Sequence, residues 1–85
     1  GNTGGWKYTS DPQLPYPAVY ERFSDDGKYL VIINPRSEKA SAEVSGYKKL
    51  EVVYGDPKAL SVKKVSGGLS LRIKGVGSVI CKVTE

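Results

Sequence analysis

The sequence predicts an all-β domain, an antiparallel β-sandwich of seven or eight short strands with Greek-key topology. Three observations carry that expectation. Short runs rich in β-branched and aromatic residues recur along the chain, separated by a turn signal roughly every 8–10 residues. Several of these runs alternate apolar with polar side chains, the period of a strand with one wet face. No stretch repeats its apolar residues at the helical spacing; Ala40–Glu43 is the one place where a short helix has any case, and it is below a length that is stable alone. The strongest single element is Tyr29-Leu30-Val31-Ile32-Ile33-Asn34, the longest unbroken apolar run, closed by Pro35. Such a run between turn signals is expected to be a central strand buried on both faces.

The elements follow in order. Residues 1–85 form one domain, with 1–17 as an irregular, aromatic and proline-rich lead-in and 18–85 as the body of the sandwich. Trp6-Lys7-Tyr8 alternates and suits a short first strand. The stretch from Ser10 to Pro17 holds three prolines, which remove backbone donors and exclude helix and central strand alike. It is expected to lie extended on the domain. Ala18–Phe23 alternates as a strand, and Ser24-Asp25-Asp26-Gly27-Lys28 supplies a hairpin turn. Tyr29–Asn34 then pairs back on Ala18–Phe23. After a loop at 35–39, Ala40–Val44 is a strand with one wet face, and Ser45-Gly46 turns the chain. Tyr47–Tyr54 is the next strand, closed by Gly55-Asp56-Pro57-Lys58. Leu60–Val65 and Leu69–Lys74 form a second hairpin across Ser66-Gly67-Gly68. Gly75-Val76-Gly77 bends the chain into the closing strand, Ser78–Val83. The expected core is Val19, Val31, Ile33, Leu50, Val52, Leu60, Val62, Leu69, Leu71, Ile73, Val79 and Cys81, with Leu30 and Ile32 on a second face.

Composition excludes several functions. A chain of 85 residues buries roughly 60–65% of its unfolded surface, enough for one modest core without a deep substrate cavity. The charged fraction of 26% and hydrophobic fraction of 39% suit a folded domain rather than disorder. No apolar run approaches the ~18 residues of a membrane span, and Gly1–Gly5 lacks the basic and apolar regions of a signal peptide. One cysteine and no histidine exclude an internal disulfide, imidazole metal sites and Ser-His or Cys-His nucleophiles. Cys81 sits in an apolar strand pattern, as a buried core residue rather than a reactive thiol. The net charge of +4 is spread over every segment; scattered lysines serve solubility and edge protection, and a nucleic-acid partner is not expected. Neither a cofactor nor a metal is expected.

Candidate catalytic groups fail on their setting. Asp25-Asp26 lie at a hairpin tip, where water keeps both ionised, whereas a glycosidase pair faces across a cleft. The same pair is too short for a calcium loop. The glycine pairs at 4–5 and 67–68 and the Gly75-Val76-Gly77 turn precede no helix and so cradle no phosphate. Aromatics are the feature with binding potential: Trp6, Tyr8, Tyr16 and Tyr20 crowd the N-terminal quarter. They suit plugging of the lead-in segment onto the sandwich, an interface with a further domain, or stacking on sugar rings.

The order of features resembles the C-terminal β-sandwich of the α-amylase family, glycoside hydrolase family 13. The resemblance rests on Asn2-Thr3-Gly4-Gly5-Trp6, on Tyr16-Pro17-Ala18-Val19-Tyr20-Glu21-Arg22, and on Asp26-Gly27-Lys28-Tyr29-Leu30-Val31-Ile32-Ile33-Asn34-Pro35. Val19-Tyr20-Glu21-Arg22 and Leu30-Val31-Ile32-Ile33-Asn34 stand where the family has a "Val-Tyr-x-Arg" strand and a "Leu-Val-Val-Leu-Asn" strand. Gly77–Val83 is similar to the family's closing strand but lacks the aromatic common there. The family's catalytic carboxylates lie on its barrel, and none of the barrel motifs is in this sequence. The resemblance therefore implies a monomeric, non-catalytic accessory domain whose partner is the catalytic (β/α)₈ barrel of the same parent chain, stabilising it in starch or α-glucan metabolism. α-Glucan itself is a further partner under this reading, with Trp6 and the tyrosines stacking on it as in a carbohydrate-binding module. An immunoglobulin-like interaction domain is the remaining alternative.

Overall fold

The computed structural model describes the backbone of residues 6–8 and the full residues 16–84. Eight strands are formed among the described residues: β1 (Trp6–Tyr8), β2 (Ala18–Ser24), β3 (Gly27–Asn34), β4 (Ala40–Ser45), β5 (Lys49–Tyr54), β6 (Leu60–Val65), β7 (Gly68–Ile73) and β8 (Gly77–Thr84). They build two antiparallel sheets, one of five strands in the order β1-β2-β3-β8-β5 and one of three in the order β4-β7-β6. The chain crosses between sheets after β3, β4, β5 and β7, and β8 returns to lie between β3 and β5. This is the β-sandwich with Greek-key connections that the turn spacing predicts. The β2–β3 and β6–β7 hairpins also form where expected, with Gly27 and Gly67 supplying positive φ at the turns.

The core is the layer between the sheets. On the larger sheet, Val19, Ile32 and Val79 stand side by side across β2, β3 and β8, and Leu30 stands beside Cys81 and Val52 in the next row. Val44, Leu69, Leu71 and Ile73 face them from the smaller sheet. Each fully buried aliphatic contributes about 1.5–3 kcal/mol, set against the entropy of ordering the chain. Within the smaller sheet, β4 and β7 approach closely at one end, where a Cβ at Gly68 would lie 2.0 Å from the Val44 carbonyl oxygen.

The expected burial of β3 on both faces is corrected. β3 is indeed central, but only Leu30, Ile32 and Asn34 of its residues are buried. Val31 is half-buried and Ile33 is 37% exposed on the outside. Strand side chains alternate with period two, and a second layer covers only one face. Leu30 and Ile32 are thus the core pair, whereas Val31 and Ile33 are not core residues. Val62, on edge strand β6, is likewise exposed, while Leu50, Val52 and Leu60 are half-buried against the core. Val44, Tyr47 and Ala59 enter the core in their place. The Tyr47–Tyr54 strand begins at Lys49, because Tyr47 turns inward.

Asn34 is more than a strand terminator. Its buried amide donates to Glu38 O at 2.7 Å and is shared between Ile73 O at 3.3 Å and Lys74 O at 3.2 Å. Its Oδ1 accepts from Arg36 N at 3.2 Å. One side chain therefore pins the crossover leaving β3 to the crossover leaving β7, satisfying backbone groups that sheet pairing leaves over. The expectation that residues 9–15 lie extended on the domain falls outside the described residues. Cys81 is buried, and desolvation pushes its thiol up to about 11, as suits a core residue.

At the bend between β7 and β8, Val76 holds φ +50 with 76% of its surface exposed, fixed by a 2.7 Å hydrogen bond from its amide to Arg36 O. A β-branched residue in this region pays about 1–2 kcal/mol that glycine avoids. Part of that gain is offset by the greater freedom of glycine in the unfolded chain. Val76→Gly is therefore expected to raise the unfolding free energy by about 0.5–1 kcal/mol. Urea denaturation measures this, and a loss of stability would contradict the strain assigned to Val76.

Candidate functional site

The two outer faces of the sandwich differ in chemistry. That of the smaller sheet is polar: Ser41 and Glu43 on β4, Ser70 and Arg72 on β7, and Ser61 and Lys63 on β6 are paired across it. That of the larger sheet carries an apolar and aromatic row. Tyr20 of β2 is opposite Val31 of β3, Val31 is opposite Ile80 of β8, and Ile80 is opposite Tyr54 of β5. Directly opposed residues share a face and touch, so the row spans four strands. Ile33 extends it on one side. A parallel row of Arg22, Tyr29, Lys82 and Glu51 flanks it on the other.

Tyr54 joins this face because of a β-bulge. Val52 pairs with Cys81 on the core side, but the register shifts before Tyr54, which pairs with Ile80. Without the extra residue, Tyr54 would follow Val52 inward. As built, it is 71% exposed, beside Val53 at 51%.

A shallow depression of about 280 Å³ opens on this face, lined by Arg22, Ser24, Asp26, Tyr29, Val31 and Ile80. Asp26 accepts hydrogen bonds from Ser24 Oγ and, at 3.0 Å, from the Tyr29 hydroxyl. The Ser24 bond first and the Tyr29 bond second hold the Asp26 carboxyl below its ordinary value, and the same contact raises the Tyr29 phenol. Asp26 is the one carboxylate lining the depression. Glycoside hydrolysis uses two, one of them protonated, and a second is not among the residues lining this depression. Among the described residues, no group of three or more Asp, Glu or Cys is placed to hold a metal ion.

Of the aromatics singled out by the sequence, Tyr20 lies within the outer row, half-buried. Tyr16 is exposed and precedes a cis bond to the buried Pro17. Trp6 is in register with Arg22 and Tyr8 with Tyr20; their side chains fall outside the described residues. Sequence reasoning passed over Tyr29, Ile33, Ile80 and Tyr54 as face residues. The unbroken apolar runs of β3 and β8 do not show which of their residues face outward, and nothing local signals the bulge that turns Tyr54. No protein-family model, curated protein or solved structure matches the chain.

A second polar group closes the inner end of β2. Glu21, 7% exposed on the core side, accepts a hydrogen bond from the Tyr47 hydroxyl. Lys28 Nζ lies 3.7 Å from the same carboxylate, 5.5 Å from the Phe23 ring centre and 5.6 Å from that of Tyr47. Burial, and then the bond to Glu21, push the Tyr47 phenol well above the ordinary 10.0. A pKa raised on folding stabilises the fold fully below pH 10 and is lost as pH rises beyond it. Tyr47→Phe leaves the Glu21 carboxylate short of a donor and is expected to cost about 1–3 kcal/mol at pH 7. It should also flatten the alkaline fall in stability above pH 10. Chemical denaturation from pH 7 to 11 tests both, and an unchanged alkaline slope would contradict the role given to Tyr47.

Proposed function

We propose that this domain is the non-catalytic C-terminal β-sandwich of an α-amylase-like glycoside hydrolase. It packs on the catalytic barrel of the parent chain through the outer face of its five-stranded sheet and stabilises that barrel. The observation that carries this reading is the contrast between the two outer faces. One has the serines and charges of a solvated sheet, while the other presents Tyr20, Ile33, Val53, Tyr54 and Ile80. An apolar patch rimmed by charge marks an interaction surface, and aromatic residues concentrate at interfaces. The flanking Arg22, Lys82 and Glu51 suit the polar rim of such a contact. The order of sequence features set out above supplies the identity of the partner. The mechanism is mechanical: a rigid sheet face removes apolar barrel surface from water and holds the end of the barrel in place.

The test uses surface substitutions in the isolated domain and in the parent enzyme. Ile33→Lys combined with Tyr54→Lys should change the isolated domain's stability by about 0.5 kcal/mol or less, as surface changes do. In the parent enzyme the same pair should lower the melting temperature by several degrees. Titration of the isolated domain with maltoheptaose should leave tyrosine and Trp6 fluorescence unchanged. Saturable quenching would support a carbohydrate-binding module instead, and an unaltered melting temperature in the parent would contradict docking through this face.

A further inference from the structure

A second concavity lies at the end of the sandwich, away from the outer face of the larger sheet. Its volume is about 430 Å³, and its walls are Gly46, Tyr47 and Lys48 on one side and Lys64, Val65, Gly67 and Gly68 on the other. That volume falls at the lower end of the range for small-molecule sites, roughly 300–1,000 Å³. The walls are fixed rather than adventitious. Gly46 N donates to Gly67 O at 2.8 Å, and Ser45 pairs with Gly68 across β4 and β7, so the two turns cannot drift apart.

The charge of the cleft is one-sided. Lys48 and Lys64 both line it, no aspartate or glutamate does, and neither lysine enters an ion pair among the described residues. Glu21, which the Tyr47 side chain reaches, is already engaged by the Tyr47 hydroxyl and Lys28. Tyr47, 7% exposed, and Val65 add apolar atoms to the lining, and the glycines keep the floor low. A side chain added at Gly46 or Gly67 would meet no heavy atom within 4 Å, so the space above both is open. Two lysines on the lining of an open, partly apolar cleft complement an oxyanion carried on a small ring.

We propose that this cleft is a binding site for a small cyclic ligand bearing a phosphate or carboxylate group. Lys48 and Lys64 hold the oxyanion, and Tyr47 and Val65 contact the ring. The site is independent of docking through the larger sheet, since its residues lie on the β4–β5 connection and on the β6–β7 hairpin of the smaller sheet.

Amide chemical-shift titration of the ¹⁵N-labelled chain tests this with phenyl phosphate, benzoate and phenol as probes. Phenyl phosphate, benzoate or both should shift Gly46, Lys48, Gly67 and Gly68 saturably, the stronger of the two identifying the preferred oxyanion. Phenol should not. The double variant Lys48→Gln, Lys64→Gln should weaken the affinity at least about tenfold, the scale of one charged hydrogen bond. Gly67→Asn, which tolerates the positive φ and fills the cleft, should weaken it similarly with the melting temperature little changed. Three outcomes would overturn the proposal: shifts that do not saturate, shifts spread equally over Lys39, Lys58 and Lys74, or an affinity unchanged by the lysine pair.

Discussion

The contact of the β3–β8 pair with the β4–β7 pair is the constraint on which the remaining structure depends. Leu30, Ile32, Val79 and Cys81 come from one side of the interior, and Val44, Leu69 and Leu71 from the other. Neither sheet has a hydrophobic core alone, and a three-stranded sheet without a covering layer is marginal in water. β3 connects to β4 and β7 connects to β8, so the same four strands that meet in the core are joined by the crossovers. Asn34 sits where those crossovers come together. Its amide replaces backbone partners that neither sheet provides, which couples the polar bookkeeping of the loops to the packing of the layer.

Most of this architecture is legible in the sequence because each turn carries its own chemistry. Asp26-Gly27 and Ser66-Gly67 mark the hairpins, and the alternation of Leu69, Leu71 and Ile73 identifies the inward face of β7 unaided. β3 is different. A continuous apolar run has no alternation to reveal which half faces inward, so Val31 and Ile33 are indistinguishable from Leu30 and Ile32 until β2 and β8 fix the register. Tyr47 and Glu21 were hidden for another reason. A tyrosine before a Lys-Lys pair and a glutamate in a surface-like alternation look solvated, and only the fold brings them together across 26 positions. The exposure of Tyr54 depends on a one-residue bulge, for which Leu50–Tyr54 holds neither glycine nor proline as a marker.

The proposed function rests on the unequal treatment of the surfaces. Polar residues on the smaller sheet keep that side wet, and the lysines of β6 guard an open edge against pairing with other chains. The larger sheet spends aromatic and aliphatic side chains on a face that the described residues leave partly exposed. A domain of this size has little apolar surface to spare, so their placement in one row across four strands is the feature most in need of a partner. The charged residues beside that row would set the orientation of docking more than its strength. The one carboxylate lining the depression on this face, Asp26, accepts from two hydroxyl donors, which hold its pKa below the ordinary value.

Native-state hydrogen exchange at the backbone amides tests the central claim most directly. Amides of Leu30, Ile32, Val79 and Cys81, paired on both sides or at the centre of the larger sheet, should exchange slowest and together, through global unfolding. Those of edge strand β6 should exchange faster, through local opening. Fast exchange in β3 while β6 remains protected would contradict an architecture built on the buried contact between the two strand pairs.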